Sequence, residues 1–502
     1  MLPFHRFAIA AMCLVGMTAA KARAQTGAPD ILLLMPDQMR GDCLSALGHP
    51  VTKTPNLDAL AEQGVLFRRG YSTVPSCTPA RHALLTGQYP QTSGVVGFAG
   101  RPIRVPTLPQ QLLDAGYATA LVGRNMHQVP ARDPYGFERV ILGSTYVDDD
   151  EYDRWLRLRA PECGGIRAVV ERAGLSFNGW QAGPWPLARD LHPTEWVVQR
   201  AIDVVAASGP EKPLFLTASF YAPHPPLMPP REFYDAAFAA TPPAPAHGEW
   251  VHWTALSPEG DAQGHRVRLE GDALRRAQAG YFGAIAHLDA AVAPLLRAFR
   301  ARAEQAERPW LVILVSDHGE MLGDHGYFRK CQPYEGSANI PFVVAGSKEL
   351  GLVAGSRLRT PVCLEDILPT LLELAGSRPA RPVDGQSLVA AMRGEQERVR
   401  DWLHLEHADC YSTEQAFHAL TDGRFKYVWR TCDGTEQLFD LDHDPHELHD
   451  LSGAASSRGE LVKWRALLVQ RLAGRPEQFS DGVKLTPGRP YPALQRQPSR
   501  SK

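Results

Sequence analysis

Residues 30–38, DILLLMPDQ, and residues 310–318, WLVILVSDH, share one construction. Each is an apolar run of strand length that ends in an aspartate followed by Gln38 or His318. A short run apolar on both faces is the pattern of a strand buried inside a parallel sheet. Ala118–Val122, Lys212–Ser219 and Pro341–Ala345 read the same way, with helical segments between them. Thr54-Pro55-Asn56-Leu57 opens one helix, with Thr54 as its cap and Pro55 just inside, and Gly64 closes it. Gln110–Ala115 is a second. A third is longer, from about Asp272 to Arg302, apolar along Ile285, Leu288, Val292, Leu295 and Leu296, with Pro294 as a point of kinking. Strands alternating with helices give an α/β fold, a large, mostly parallel mixed sheet sandwiched by helices.

The pattern changes after about residue 400. Gln415–Thr421 and Arg424–Arg430 alternate in polarity and are joined by Asp422-Gly423, a tight-turn signal that sets Thr413 opposite Cys432. Gln437–Leu441 is a third strand and Glu460–Leu472 a helix. The expected organisation is a main domain over residues 25–399 and a small antiparallel-sheet subdomain over 400–481. A loose, Pro-rich and basic tail is expected over 482–502.

The chain has 502 residues, is 44% hydrophobic and 22% charged, and carries a formal charge of −2. That balance suits a large globular core and speaks against a nucleic-acid binder or a polybasic membrane binder. Residues 1–24 read as a secretory signal peptide. Arg6 precedes the apolar run Phe7–Ala20, and Ala22-Arg23-Ala24 forms a small-x-small cleavage site. No later stretch reads as apolar enough to cross a bilayer, so a periplasmic or secreted protein without a membrane span is expected. Of eight cysteines, Cys13 falls in the leader, which leaves an odd number. If one has a separate chemical fate, Cys43, Cys163, Cys331, Cys363, Cys410 and Cys432 remain for disulfides.

Ligands of open α/β sheets bind beyond the carboxyl ends of the strands. Asp37-Gln38 and Asp317-His318 would meet there. Two carboxylates and an amide oxygen make a mostly hard-oxygen site suited to Ca²⁺ or Mg²⁺, and the imidazole admits Mn²⁺ or Zn²⁺. Either pair alone reads more readily as an aspartate capping the loop after its strand; the repetition raises the metal reading.

Cys77-Thr78-Pro79-Ala80-Arg81 precedes HALLTG, residues 82–87. Pro79 fits the first turn of a helix. Cys77 then sits at the helix N-terminus, where free N–H groups favour an anion. Arg81 lies one turn on along the same face. This describes an anion site with a nucleophile, although a thiolate is a poor partner for a hard cation.

The run C-x-P-x-R followed by LTG resembles the signature of the sulfatase family, within the alkaline-phosphatase superfamily. The resemblance covers most of the chain. It includes LLLMPDQMRGD, TPNLDALAEQGVLFRRGY, Gly123-Arg124-Asn125-Met126-His127, Tyr221-Ala222-Pro223-His224, SDHGEMLGDHGYFRK and the late GRFKYVW and QLFDLDHDPHE segments. It implies that a formylglycine-generating enzyme oxidises Cys77 to formylglycine, whose hydrated aldehyde offers oxygen to the metal and attacks sulfur. It further implies Asp37, Gln38, Asp317, His318 and modified Cys77 as metal ligands, with Ca²⁺ expected and Mg²⁺ or Mn²⁺ as alternatives. Arg81 would hold the diol, and His127 would help release sulfate. His224 and Lys330 would contact the sulfate and assist the leaving oxygen.

Three positions depart from the usual family pattern. Gln38 stands where a second Asp is common, His318 where Asn is common, and Arg124 where Lys is usual, with one extra residue before His127. Arg keeps the charge and binds two oxygens at once, but does not give up its proton. The implied reaction is hydrolysis of a sulfate ester in a sulfated small molecule or glycan. Two alternatives stand beside it. Superfamily relatives with the Gln/His metal set hydrolyse phosphonate monoesters or phosphodiesters, though the retained basic residue and His127 lean toward sulfate. The other alternative is a non-catalytic binder of sulfated glycans. Tyr152, Trp155, Trp180, Trp185, Phe233, Trp250 and Trp253 lie in long connections, where they either stack on sugars or pack those connections onto the sheet.

Overall fold

The computed structural model describes residues 27–143, 149–256 and 265–495. The expected signal peptide, residues 1–24, lies outside them. In chain order the strands are β1 (Asp30–Asp37), β2 (Gly64–Phe67), β3 (Gly70–Tyr71), β4 (Ala118–Gly123), β5 (Arg139–Leu142), β6 (Leu214–Pro223) and β7 (Trp310–Val315). They continue as β8 (Phe342–Gly346), β9 (Ser356–Leu358), β10 (Val362–Cys363), β11 (Leu403–His407), β12 (Phe417–Thr421), β13 (Phe425–Arg430) and β14 (Glu436–Asp440).

The main sheet has eight strands in the order β5-β4-β6-β1-β7-β8-β2-β9. Only β8 is reversed, running against both β7 and β2. Side chains alternate across this sheet as strand geometry requires. Leu32, Leu34, Leu216 and Leu314 enter one core with the helices Pro193–Ala207 and Gly271–Gln305. Ile31, Leu33, Phe215 and Ile313 enter the other with the helices Cys77–Thr86 and Ile367–Leu374. Each such buried side chain contributes about 1.5–3 kcal/mol. The mostly parallel sheet covered on both faces is therefore the architecture the apolar runs call for.

The second sheet is antiparallel, in the order β11-β12-β13-β14. One face packs Leu405, Phe417, Val428 and Phe439 against Tyr71, Met321 and Tyr334 of the main body. The other packs Leu420, Tyr427, Trp429 and Leu438 against Trp464 and Leu468 of the helix Arg458–Leu472.

Several expectations are corrected. Thr54 does not cap the helix Pro55–Gln63 with its side chain. Its hydroxyl bonds to Asp58, while the carboxylate of Asp289 accepts the Asn56 and Leu57 N–H groups. The β12–β13 connection is wider than a two-residue turn, because Asp422 Oδ1 accepts both the Arg424 and Phe425 N–H groups. Thr421 therefore faces Lys426, which moves the register two residues from the pairing of Thr413 with Cys432. The segment from 482 is not loose up to Gln495. Tyr491 is buried, and the backbones of Ala493 and Gln495 bond to Val96 and Gly94. Among the described residues one helix, Gly271–Gln305, is long and apolar enough to cross a membrane by length and composition, contrary to the reading that no such stretch follows the leader. It lies largely buried against the sheet, with 78% of its most apolar window inside the protein.

Candidate active site

Four neighbouring parallel strands deliver their next residues to one edge. β1 ends in Asp37 and is followed by Gln38; β7 leads through Ser316 to Asp317 and His318; β4 is followed by Arg124; and β6 is followed by His224. Gly123 closes β4 with a φ of 100°, and a Cβ there would lie 2.0 Å from the Ser219 carbonyl oxygen. Glycine thus lets β4 turn sharply and send Arg124 inward. Across this edge stands the helix Cys77–Thr86, with Cys77 as its first residue and Ser76 as its cap.

The groups converge on the Cys77 sulfur, which marks where an oxygen of a formylglycine side chain would stand. Lys330 Nζ is 3.0 Å away, His318 Nε2 3.2 Å, Arg124 Nη2 3.7 Å and Asp37 Oδ1 3.8 Å. Cys77, Asp37, Asp317, His318, Arg124, His224 and Lys330 are all buried. Burial pushes the Cys77 thiol up, but Lys330, His318 and hydrogen-bond contacts with His127 and His224 more than offset this and hold it well below the usual thiol range. The position is built to stabilise a negative atom.

Arg81 is placed differently from the expectation that it holds the diol. Its Nη2 donates to Asp37 Oδ2 at 2.9 Å, its Nε to Asp317 Oδ2 at 2.8 Å, and its Nη1 to Asn125 O and Ser219 Oγ. The guanidinium therefore lies behind the two carboxylates, because a buried acid pair needs a cation close by. Arg124 faces the site, with Nε 3.0 Å from Asp37 Oδ2 and its guanidinium 4.6 Å from the centre of the Tyr221 ring.

The arrangement fits a divalent cation. The ligand atoms of Asp37, Asp317, His318 and Cys77 lie within 4.8 Å of one another. Arg81 takes the Oδ2 atoms, which leaves each Oδ1 toward His318. His318 Nδ1 donates to the Gly319 carbonyl at 2.8 Å, leaving the Nε2 lone pair for the site. Burial pushes Asp37 up to about 7, aided by Asp317 and Cys77 and opposed by Arg124 and Arg81. Asp317 moves the other way, since His318 and Arg81 outweigh its burial. A cation between the two carboxylates relieves this repulsion.

Gln38 is oriented by a residue that sequence reasoning missed. Its Nε2 donates to Glu320 Oε2, which turns Oε1 inward to accept from Lys330 at 3.0 Å. Glu320 sits two residues beyond His318, and its other oxygen accepts the Leu322 and Arg329 N–H groups. Gln38 and His127 hold left-handed backbones, with φ of 67° and 59°. Such conformations cost roughly 1–3 kcal/mol each and recur at functional sites. His127 is also close to the nucleophile position, with Nδ1 3.4 Å from Thr78 Oγ1; burial lowers its pKa. His224 donates from Nδ1 to the Pro225 carbonyl at 2.7 Å and accepts from Lys330 at Nε2 at 3.2 Å. Burial, with Lys330 beside it, holds its pKa down at about 3.

Most of the aromatic residues considered for sugar stacking pack the protein instead. Tyr152 and Trp185 are core residues, Trp155 stacks on Tyr152, and Trp180 packs against the same core beside Phe328. Trp250 stacks on Tyr334 and donates to the Glu447 carbonyl. Phe233 lies against His287.

A buried, anion-stabilising position at the carboxyl edge of a helix-covered, mostly parallel sheet is the arrangement of an alkaline-phosphatase-like hydrolase. Residues 29–377 match the sulfatase family model, and residues 323–472 match the model described as N-sulphoglucosamine sulphohydrolase, C-terminal. The chain is 35% identical over 485 residues to an arylsulfatase of Clostridium perfringens, covering 93% of this chain and 99% of that one. It is 31% identical over 451 residues to a choline-sulfatase of Rhizobium meliloti, covering 85% and 83%. Its fold is similar to that of a phosphonate monoester hydrolase of Agrobacterium radiobacter, with a TM-score of 0.75, 26% identity and coverage of 90% and 96%. The chain belongs to the sulfatase family, and its activity is that of a sulfuric ester hydrolase.

Proposed function

We propose that this chain is an exported sulfatase that acts on sulfated sugars or glycans, through a formylglycine made from Cys77 and a divalent cation, calcium foremost. The observation that carries the mechanism is the convergence of Lys330, His318, Arg124 and Asp37 on the Cys77 side chain. Asp37, Gln38, Asp317 and His318 would hold the cation. Formylglycine supplies an oxygen nucleophile, and the cation supplies positive charge for that oxygen and for the sulfate.

The chain's own residues supply the rest. Arg124 and Lys330 hold the sulfate oxygens, where negative charge grows in the transition state. Lys330 is the proton donor to the leaving oxygen. His224 has its Nδ1 proton on Pro225 and accepts at Nε2, so it orients Lys330 rather than donating. His127, kept neutral by burial, is the base that takes a proton when sulfate is released. Arg81 fixes the two carboxylates.

Peptide mass spectrometry across Cys77, on protein from its own host, tests the core of this reading. An aldehyde in place of the thiol is expected, formed by a formylglycine-generating enzyme. An unmodified thiol, in a host that matures another such enzyme, would overturn it. If Cys77→Ala loses ligand affinity as well as turnover, the residue acts in binding; retained affinity without turnover is expected. Export is supported by the leader and predicts a mature N-terminus at Gln25.

The sugar substrate is supported by the match of residues 323–472 to the N-sulphoglucosamine sulphohydrolase model. Release of sulfate from a panel of sulfated saccharides is expected, and release from none of them would move the substrate to aryl or alkyl sulfates. A second reading, phosphonate monoester hydrolysis, is favoured by Gln38 and His318 together and by the fold likeness. Comparing kcat/KM on 4-nitrophenyl sulfate and on a 4-nitrophenyl phosphonate decides it, with the sulfate expected to be preferred.

A further inference from the structure

The sulfurs of Cys331 and Cys410 lie 2.8 Å apart. Among the described residues they form the one pair of cysteines with sulfurs in contact. The pair joins two segments 79 positions apart, one beside Lys330 and one just beyond β11. We propose that Cys331 and Cys410 form a disulfide that fastens the Lys330 segment to the antiparallel-sheet subdomain.

The surroundings show what the bond would hold. Arg329 and Cys331, on either side of Lys330, have left-handed backbones with φ of 69° and 68°. A segment strained at both flanks persists only where its neighbours fix it. Two ties are already in place. The Arg329 N–H donates to Glu320 Oε1, and the Cys331 N–H donates to the Pro75 carbonyl at 2.9 Å, two residues before Cys77. The Arg329 guanidinium also lies 4.3 Å from the centre of the Tyr411 ring, next in sequence to Cys410. A bond between Cys331 and Cys410 adds a covalent tie to these, one residue from the ammonium that touches Cys77.

The oxidant is a small-molecule disulfide such as oxidised glutathione. Half-buried Cys410 attacks one of its sulfurs and expels one glutathione thiol. Buried Cys331 then attacks the Cys410 sulfur and expels the second. The two cysteines lose two electrons and two protons, and both appear in the two thiols released. The competing occupant is a soft metal ion on Cys331, Cys410 and His407, whose ligand atoms lie within 4.8 Å of one another. His407 already has Nδ1 on the Ala408 carbonyl at 2.6 Å and Nε2 against Ser76 Oγ at 2.8 Å. Its nitrogens are spoken for, which favours the disulfide.

The bond goes beyond the sulfatase reaction and stands or falls without it. The test takes the full-length protein equilibrated with oxidised glutathione, unfolded in guanidinium with N-ethylmaleimide and digested without reduction. A peptide pair joining Cys331 to Cys410, lost on treatment with dithiothreitol, is expected. Both thiols labelled would overturn the proposal. Labelling that appears only after a chelator, with zinc released, would overturn it in favour of the metal. In thermal unfolding, dithiothreitol is expected to lower the melting temperature of the wild-type protein by several degrees and to leave Cys410→Ser unmoved; equal shifts in both would count against the bond.

Discussion

The ammonium of Lys330 lies 3.0 Å from the Cys77 sulfur, and its remaining donors meet Gln38 Oε1 at 3.0 Å and His224 Nε2 at 3.2 Å. Lysine has three donors, and here each has an acceptor. A proton donor matters most for a leaving group that cannot bear charge. Lys330→Ala is therefore expected to lower kcat by about 10³ on an alkyl sulfate and by about tenfold on 4-nitrophenyl sulfate. Equal losses on both substrates would assign Lys330 to charge stabilisation alone.

Arg81 is the fixed counter-charge of Asp37 and Asp317, and all three are fully buried. Removing one partner of a buried ion pair leaves uncompensated charge and costs about 3–5 kcal/mol. Arg81→Leu is expected to lose that much stability in urea unfolding of the cation-free protein and to recover part of it when calcium is added. Arg81→Lys keeps the charge but not the fork to both carboxylates, and should fall between. No recovery with calcium would argue that these carboxylates do not share a cation.

How far the sequence reveals this site depends on the kind of residue. Asp37, Asp317 and His318 follow directly from two apolar runs, because a strand buried on both faces must release its first polar residues at the sheet edge. Arg124 and His224 follow β4 and β6 in the same way, yet nothing local distinguishes them from loop polars without the flanking family motifs. Glu320 was missed because its role is set by where Gln38 turns, and that turn needs a left-handed φ no pattern announces. The place of Arg81 was misread for a related reason. Helical spacing puts it on the face of Cys77, but the direction of its guanidinium is decided by carboxylates 44 and 236 positions away. The tail failed on composition, since a Pro-rich basic segment reads as loose until Tyr491 finds a buried partner.

That partner is Glu406, whose carboxylate accepts from the Tyr491 hydroxyl and from Arg475. The ring also meets His418 and Phe479 at 5.0 and 5.2 Å. Tyr491→Ala is expected to cost about 3 kcal/mol, the lower end for emptying a buried aromatic site. Tyr491→Phe, which removes only the hydroxyl, should cost about 1 kcal/mol. Truncation after Asp481 should match or exceed the alanine variant, since it also removes the Ala493 and Gln495 backbone bonds. Urea midpoints measure all three, and an unchanged truncation would show that this segment contributes nothing to stability.

The buried acid pair Asp37 and Asp317 gives stability a pH-dependent contribution with a definite sign. Burial, with Asp317 and Cys77 beside it, raises Asp37 from 3.8 to about 7. Between those values the folded protein binds a proton at Asp37 that the unfolded chain does not, so the contribution of Asp37 to stability falls as pH rises from about 4 to about 7 and levels off above. Asp317 is shifted downward, so its contribution lies below this window. Glu365 and Glu447 are also raised to about 7 by burial and add to the same fall, but neither belongs to the Asp37, Asp317 and His318 cluster. The difference between chelated and calcium-loaded protein therefore isolates this cluster, where the cation would keep Asp37 ionised and displace the proton of His318, whose pKa Asp317 and Cys77 raise against its burial. Across pH 4–8 the melting temperature of the chelated protein should drop progressively below that of the calcium-loaded protein, with the two curves diverging toward pH 7. Parallel curves would show that Asp37 does not face a bound cation.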